Sequence, residues 1–422
     1  AMASGDFNDD GFADLAVGVP GESIGSPIPR GGAVNVMYGT EAGLSATDDQ
    51  LWHQDVGSIV GGAGIDDQFG SALAVGDFNG DGFDDLAVGA PGDRAGGLAG
   101  AGAVNIIYGS EDGLDDAGNE LWHQDAVGIT GVAGADDAFG SSLAAGDFDE
   151  DGFTDLAIGA PGDKPANKAG AGVVHVLYGT SSGLDGARDD WWSQLTSGIF
   201  GYPNPGDGFG AALAAGDFDG DGADDLAIGV PGEHQGNDQQ AGQVHVLLGG
   251  ADGVSVTGAR IWHQDKTWIG GVAEPGDRFG ASLAAADFDG NGFFDLAVGV
   301  PNESLEASLD AGGVAVLYGR VGGVSAAYSD FWRAGYGGMI GSADDDEYFG
   351  TTVRGVDFDA DGFEDLAIGV PGQDVGADAA GAVHVIYGTE TGLTSSRDEM
   401  WHQDSAGITD TPETGDGLGD LR

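Results

Sequence analysis

Oxygen-bearing side chains recur at positions one, three, five and nine of a short loop, with glycine at position six, at six places in the chain. The sets are Asp6, Asn8, Asp10 and Asp14; Asp77, Asn79, Asp81 and Asp85; Asp147, Asp149, Asp151 and Asp155; Asp217, Asp219, Asp221 and Asp225; Asp287, Asp289, Asn291 and Asp295; and Asp357, Asp359, Asp361 and Asp365. Alternate positions turn their oxygens toward a common centre, as in calcium loops built on Asp-x-Asp/Asn-x-Asp/Asn-Gly. Position seven would add a backbone carbonyl, from Phe12, Phe83, Phe153, Ala223, Phe293 and Phe363. Glycine at six permits the positive φ of the tight turn. An Asp at position nine stands where the helical version carries a twelfth-position Glu, a shortening that suits a hairpin between two antiparallel strands. An ordinary turn needs one Asp or Asn, whereas these loops place four such residues at fixed spacing six times over. Oxygen-only ligation favours Ca²⁺ over zinc or copper, and Mg²⁺ resists the dehydration required. The expectation is about six Ca²⁺, one per repeat, with tighter binding where four carboxylates are present (third, fourth and sixth loops) than where an Asn replaces one.

Other residues could do chemistry. Trp-His-Gln-Asp begins at Trp52, Trp122, Trp262 and Trp401, and a His recurs mid-strand at His175, His245 and His384. Equivalent copies spread around a repeat architecture read as packing motifs. No Gly-x-Ser-x-Gly, Walker loop or His-Glu-x-x-His is present. The acids invite a glycosidase-type pair, yet many recur at equivalent positions and read as metal ligands or solvated surface. Symmetry breaks most in the loops that hold Phe200 and Tyr202, Trp268, and Tyr336. These aromatics, expected on one face, are the candidate ligand contacts.

The loops start 70 or 71 residues apart, at Asp6, Asp77, Asp147, Asp217, Asp287 and Asp357. Such a period is long for a solenoid repeat and suits a unit of four strands. In the second unit the spacing predicts strands over 71–75, 85–89 and 103–108, with a fourth near Leu121-Trp122-His123. The second and third are nearly continuous apolar runs, which implies that both sheet faces are covered. No helical period of useful length appears. The expected fold is an all-β propeller of six four-stranded blades, a single domain over residues 1–422. The chain starts in register with the inside of a first strand, and 416–421 aligns with the front of one, so the two ends are expected to share a strand and close the ring.

The sequence of 422 residues carries 71 Asp and Glu against 13 Lys and Arg, a formal net charge of −58. That field repels nucleic acid and anionic lipid. Either cations neutralise it or a saline environment screens it. No run of 18 apolar residues exists, so no membrane insertion is expected. Cysteine is absent, which excludes disulfides, thiolate zinc sites and cysteine nucleophiles.

The repeated Phe-Gly (Phe69-Gly70, Phe139-Gly140, Phe209-Gly210, Phe279-Gly280, Phe349-Gly350) and Gly-Ala-Pro (Gly89-Ala90-Pro91, Gly159-Ala160-Pro161) resemble FG-GAP repeats. Essentially the whole chain resembles the β-propeller of integrin α subunits and its bacterial secreted relatives. The resemblance implies a calcium-binding, secreted or cell-surface propeller that serves ligand binding or cell adhesion. The integrin propeller has seven blades, so seven is the alternative count, and no integrin ligand site is carried over. The expected partner is a protein or glycan, bound by a monomeric domain that is not an enzyme. The alternative is a carbohydrate-binding or carbohydrate-active propeller.

Overall fold

Each repeat folds as one antiparallel sheet whose four strands pair in sequence order, and six such sheets form an all-β, six-bladed propeller. The computed structural model describes residues 1–25, 28–305, 308–408 and 411–420. Among these, the helical content is two short 3-10 turns, Ala95–Gly97 and Pro165–Asn167. The chain divides into two compact units, one of Ala1–Ala211 with Ala251–Val254, the other of Ala212–Gly250 with Ser255 onward. The first carries blades one to three and the second blades four to six.

Blade two is representative, with strands Ala72–Gly76, Asp85–Ala90, Ala103–Tyr108 and Asp115–Trp122. Its second strand, DLAVGA, is buried at every residue, as are those of blades three to five. Both faces are covered because the core lies between neighbouring sheets. Phe78, Val104 and Ile106 of blade two pack with Leu156 and Ile158 of blade three. Phe218, Val244 and Val246 of blade four pack likewise with Leu296 and Val298 of blade five.

The fourth strand departs from expectation. It begins at Asp115, well before Leu121, after a register shift between Ile106 and Tyr108. Its residues DDAGNELW are largely half-buried or exposed. An outermost strand needs little apolar patterning, so its first half reads as loop from sequence.

The Phe-Gly pair docks each incoming segment onto the blade before it. Phe69, Phe139, Phe209, Phe279 and Phe349 are fully buried. Phe139 bridges Gly102 in parallel, its N–H donating to the Ala101 carbonyl at 3.0 Å. On blade six Leu418 makes the corresponding bridge to Gly381. The glycine late in each second strand receives this segment at backbone contact: a Cβ on Gly229 would lie 2.2 Å from the Gly280 carbonyl oxygen. Gly229→Ala is therefore expected to destabilise by at least about 2 kcal/mol, as overpacking against unyielding backbone does. Urea unfolding checks this, and an unshifted midpoint would contradict it.

Candidate functional site

The Asp loop connects the first and second strands of each blade. In blade four it runs between Ala212–Gly216 and Asp225–Val230. Asp217 Oδ1 accepts the Gly220 and Asp221 N–H groups at 2.6 and 3.2 Å, and its Oδ2 accepts the Gly222 N–H at 3.1 Å. Asp219 Oδ1 accepts the Asp221 N–H, and Asp221 Oδ1 accepts the Ala223 N–H. Gly222 holds φ at +106°, a conformation closed to most side chains. The carboxylates thus set the turn that presents them.

Position nine does different work. Asp225 is fully buried, with Oδ2 accepting the Phe218 N–H at 3.0 Å and Oδ1 accepting the Gly249 N–H at 2.9 Å. It pins the loop to the end of the third strand, Gln243–Leu248. Asp14, Asp85, Asp155, Asp295 and Asp365 repeat both bonds. Burial pushes Asp85, Asp155 and Asp295 up to about 8 and Asp225 to about 7. The N–H bonds oppose that rise, and the other carboxylates of each loop add to it.

The structure brings together one oxygen each from Asp147, Asp149 and Asp155, from Asp217, Asp219 and Asp225, from Asp287, Asp289 and Asp295, and from Asp357, Asp359 and Asp361, all within 4.8 Å of one another in each group. Such oxygen-only clusters fit a hard divalent cation. In the first two loops an amide stands at position three: Asn8 Nδ2 faces Asp10 Oδ2 at 3.4 Å and Asn79 Nδ2 donates to Asp81 Oδ2 at 3.0 Å. Neighbouring loops are also tied to one another. The Thr154 N–H donates to the Asp77 carbonyl, the Phe294 N–H to that of Asp217, and the Glu364 N–H to that of Asp287. The position-seven rings of Phe153, Phe293 and Phe363 lie on Gly80, Gly220 and Gly290 of the preceding loop.

Two basic residues beside the loops are not singled out by the sequence. Arg188 pairs with Asp149 at 2.8 Å and stacks on Tyr178, and Arg397 pairs with Asp359 at 2.7 Å and stacks on Tyr387. Both stand four residues before the fourth-strand tryptophan or its equivalent (Trp192, Trp401), a repeat signal among scarce basic residues that could have flagged them. They offset one carboxylate in the third and sixth loops. Among the described residues, the fourth loop alone then keeps four carboxylates with no ion pair.

The recurrent histidines are interior. His175 Nδ1 lies 3.0 Å from Asp189 Oδ1, while burial drives His245 down to about 3 and His384 to about 4, which keeps both neutral. In Trp-His-Gln-Asp the glutamine reaches inward: Gln54 Nε2 donates to Asp93 Oδ2 at 2.7 Å.

All four aromatic candidates are exposed: Phe200 by 55%, Tyr202 by 83%, Trp268 by 72% and Tyr336 by 55%. Trp268 and Tyr336 meet across a shallow cleft of about 400 Å³ floored by Phe331 and Trp332. Arg333 stacks on Tyr336 with 4.9 Å to the ring centroid. Trp268 holds φ at +80°, an unusual conformation for a bulky residue and one that tends to occur at functional sites. Phe200 and Tyr202 belong to the other compact unit. Among the described residues, no helix is long and apolar enough to cross a membrane.

Comparison with known proteins places this geometry. The FG-GAP repeat family matches residues 1–37, 69–106, 139–177, 209–247, 279–317 and 349–386. Integrin alpha-5 of Xenopus laevis is 34% identical over 245 residues, covering 57% of this chain and 20% of that protein. Phosphatidylinositol-glycan-specific phospholipase D of Rattus norvegicus is 37% identical over 180 residues, covering 42% of this chain and 20% of that protein. The chain therefore spans about a fifth of the length of these relatives. Among solved structures, the exotype rhamnogalacturonan lyase YesX aligns over 94% of this chain and 56% of its own at a TM-score of 0.42 and 11% identity, a likeness that carries no argument about activity.

Proposed function

The chain belongs to the FG-GAP repeat family, and from that premise we propose that it is a calcium-binding module of a secreted or cell-surface protein, which binds a protein or glycan ligand in adhesion and is not an enzyme. The observation that carries the calcium reading is the convergence of carboxylate oxygens from positions one, three and nine within 4.8 Å in blades three, four and five. Oxygens so close repel unless a proton or a cation lies among them, and Ca²⁺ accepts six to eight such ligands. The residues that would hold it are the six loop sets, with the carbonyls of Phe12, Phe83, Phe153, Ala223, Phe293 and Phe363. Calcium would supply charge neutralisation and stiffen the hairpins between the first and second strands. Relatives named as an integrin α subunit and as a phospholipase D support a ligand-binding setting outside the cell without fixing which ligand.

Ligand contact is assigned to Phe200, Tyr202, Trp268 and Tyr336. The Trp268–Tyr336 cleft favours a glycan as the ligand, because exposed aromatic faces stack on sugar rings. The test is a combined glycan and protein array probed with and without Ca²⁺, followed by Trp268→Ala. Calcium-dependent capture lost in the variant supports the reading, whereas capture that ignores both overturns it.

The arginines change the expected order of affinities. With Arg188 on Asp149 and Arg397 on Asp359, the fourth loop (Asp217, Asp219, Asp221, Asp225) is expected to bind Ca²⁺ most tightly. Arg188→Gln should tighten the third loop roughly fivefold, the equivalent of about 1 kcal/mol for a half-exposed charge. Calorimetric titration reads this as one site moving to higher affinity, and an unchanged isotherm would refute it.

A further inference from the structure

A second acidic cluster recurs at the blade seams, apart from the Asp loops. In the first seam Gln54 follows the fourth strand of blade one, Asp67 precedes Phe69-Gly70, and Asp93 follows the second strand of blade two. Gln54 and Asp67 are each 2% exposed. Gln54 Nε2 donates to Asp93 Oδ2 at 2.7 Å, and Asp67 Oδ2 accepts the Gly64 N–H. Gln54 Oε1 and Asp67 Oδ1 are then left buried with no hydrogen-bond partner. Two interior oxygens without donors, beside a second carboxylate, have no cation in contact: Arg94 acts on Asp67 from farther off and, among the described residues, makes no ion pair. Burial pushes Asp67 up to about 6, with repulsion from Asp93 adding to the rise and the Gly64 N–H and the Arg94 charge opposing it.

In the next seam a cation of the chain itself makes that contact. Gln124, Asp137 and Asp163 occupy the same places with the same Gln-to-Asp bond. Lys164 stands where Arg94 stands in the first seam. Its Nζ lies 2.7 Å from Asp137 Oδ1, the counterpart of the unpartnered Asp67 Oδ1, and 2.6 Å from the Ala135 carbonyl. Gln124 Oε1 keeps no partner there, so the two seams differ at the Asp oxygen. A third copy places Gln264, Asp277 and Glu303 at the same positions in blades four and five, with Gln264 Nε2 donating to Glu303 Oε2 and Ser304 at the lysine position. Gln264 Oε1 is again buried without a partner. Burial pushes Asp277 up to about 8 and Glu303 to about 7.

We propose that the first of these seams, through Gln54, Asp67 and Asp93, and its copy at Gln264, Asp277 and Glu303 each bind one divalent cation of the calcium class, and that the Lys164 ammonium takes that cation's place in the seam between them in sequence. Two carboxylates and an amide oxygen are hard ligands with a charge of −2, which a divalent ion neutralises and a monovalent ion does not. Asp93 is half-buried, leaving an open side for entry and for water ligands. Docking of the Phe-Gly segments would then depend on cations at the seams as well as in the hairpin loops.

The test is equilibrium dialysis of radioactive Ca²⁺ against the metal-stripped full chain, counting bound ions per chain. Lys164→Met should raise the count by one, because it opens a seam with both carboxylates in place. Asp67→Asn should lower it by one and leave the affinities of the loop sites unchanged. Asp221→Ala, in a loop, should remove a different ion, so failure of the loops and failure of the seams are read separately. Should Asp67→Asn not fold, judged by tryptophan fluorescence, Lys164→Met decides alone. A count unmoved by Lys164→Met, or proton uptake by that variant in place of calcium, would overturn the proposal.

Discussion

Chelation of calcium is expected to lower the melting temperature of this protein sharply, and by more at pH 8 than at pH 5. A ligand that binds the folded state alone stabilises it by RT ln(1 + [L]/Kd), about 2.7 kcal/mol per site at a hundredfold excess, so six loops together contribute about 16 kcal/mol. That exceeds the whole stability of many domains. The pH dependence follows from the ninth-position carboxylates. Without metal, Asp85, Asp155 and Asp295 are held at about 8 and Asp225 at about 7, against roughly 3.9 in an unfolded chain. Between those values the folded state keeps protons that the unfolded state has released. Metal-free stability is thus greatest below about pH 4 and declines as pH rises toward about 8. Bound Ca²⁺ takes the place of the proton and flattens the curve. Repulsion from the net charge of −58 has the same sign, so the comparison belongs in molar salt, where that term is screened. Scanning calorimetry at both pH values, with calcium and with chelator, reads the result. A melting temperature indifferent to chelator would refute the loop reading, and a metal-free protein that gains stability from pH 5 to 8 would refute the carboxylate argument.

The second large effect separates two aspartates of one loop. Asp155→Ala is expected to destabilise blade three by about 2–6 kcal/mol even without calcium, because it leaves two buried donors unsatisfied at roughly 1–3 kcal/mol each. Those donors are the Phe148 N–H at 2.8 Å and the Gly179 N–H at 2.8 Å. Asp151→Ala is expected to change the metal-free protein little, since Asp151 is exposed and accepts one local bond, from the Phe153 N–H. In calcium it should lose the stabilisation of one site. Denaturant unfolding of both variants, with and without calcium, gives the four values. Equal losses in the metal-free protein would show that position nine is a ligand without a structural role.

Much of this was legible in the chain because it is local and repeated. The spacing of Asp77, Asn79, Asp81 and Asp85 around Gly82 dictates a turn within nine residues, and its recurrence every 70 or 71 residues counts the blades. Continuous apolar runs such as Leu86-Ala87-Val88 announce strands covered on both faces, as they are. Other features depend on residues that meet only after sheets have paired and packed. Asp225 reaches the Gly249 N–H across 24 residues, and Arg397 reaches Asp359 across 38. Neither partner is marked by its own neighbours in sequence. Gln54 reads as part of a packing motif, and nothing beside it in sequence points to Asp93 until packing of blade two against blade one puts them in hydrogen-bond contact. Trp268 and Tyr336, equally conspicuous in sequence, share a cleft because the loop after blade four lies against the fourth strand of blade five, Ser325–Trp332. Residue spacing determined the turn chemistry and the number of sheets, since both arise within one hairpin. Tertiary structure decided which carboxylates are buried, paired with arginine or left without a partner, since desolvation and charge pairing depend on what the neighbouring blade brings to the seam.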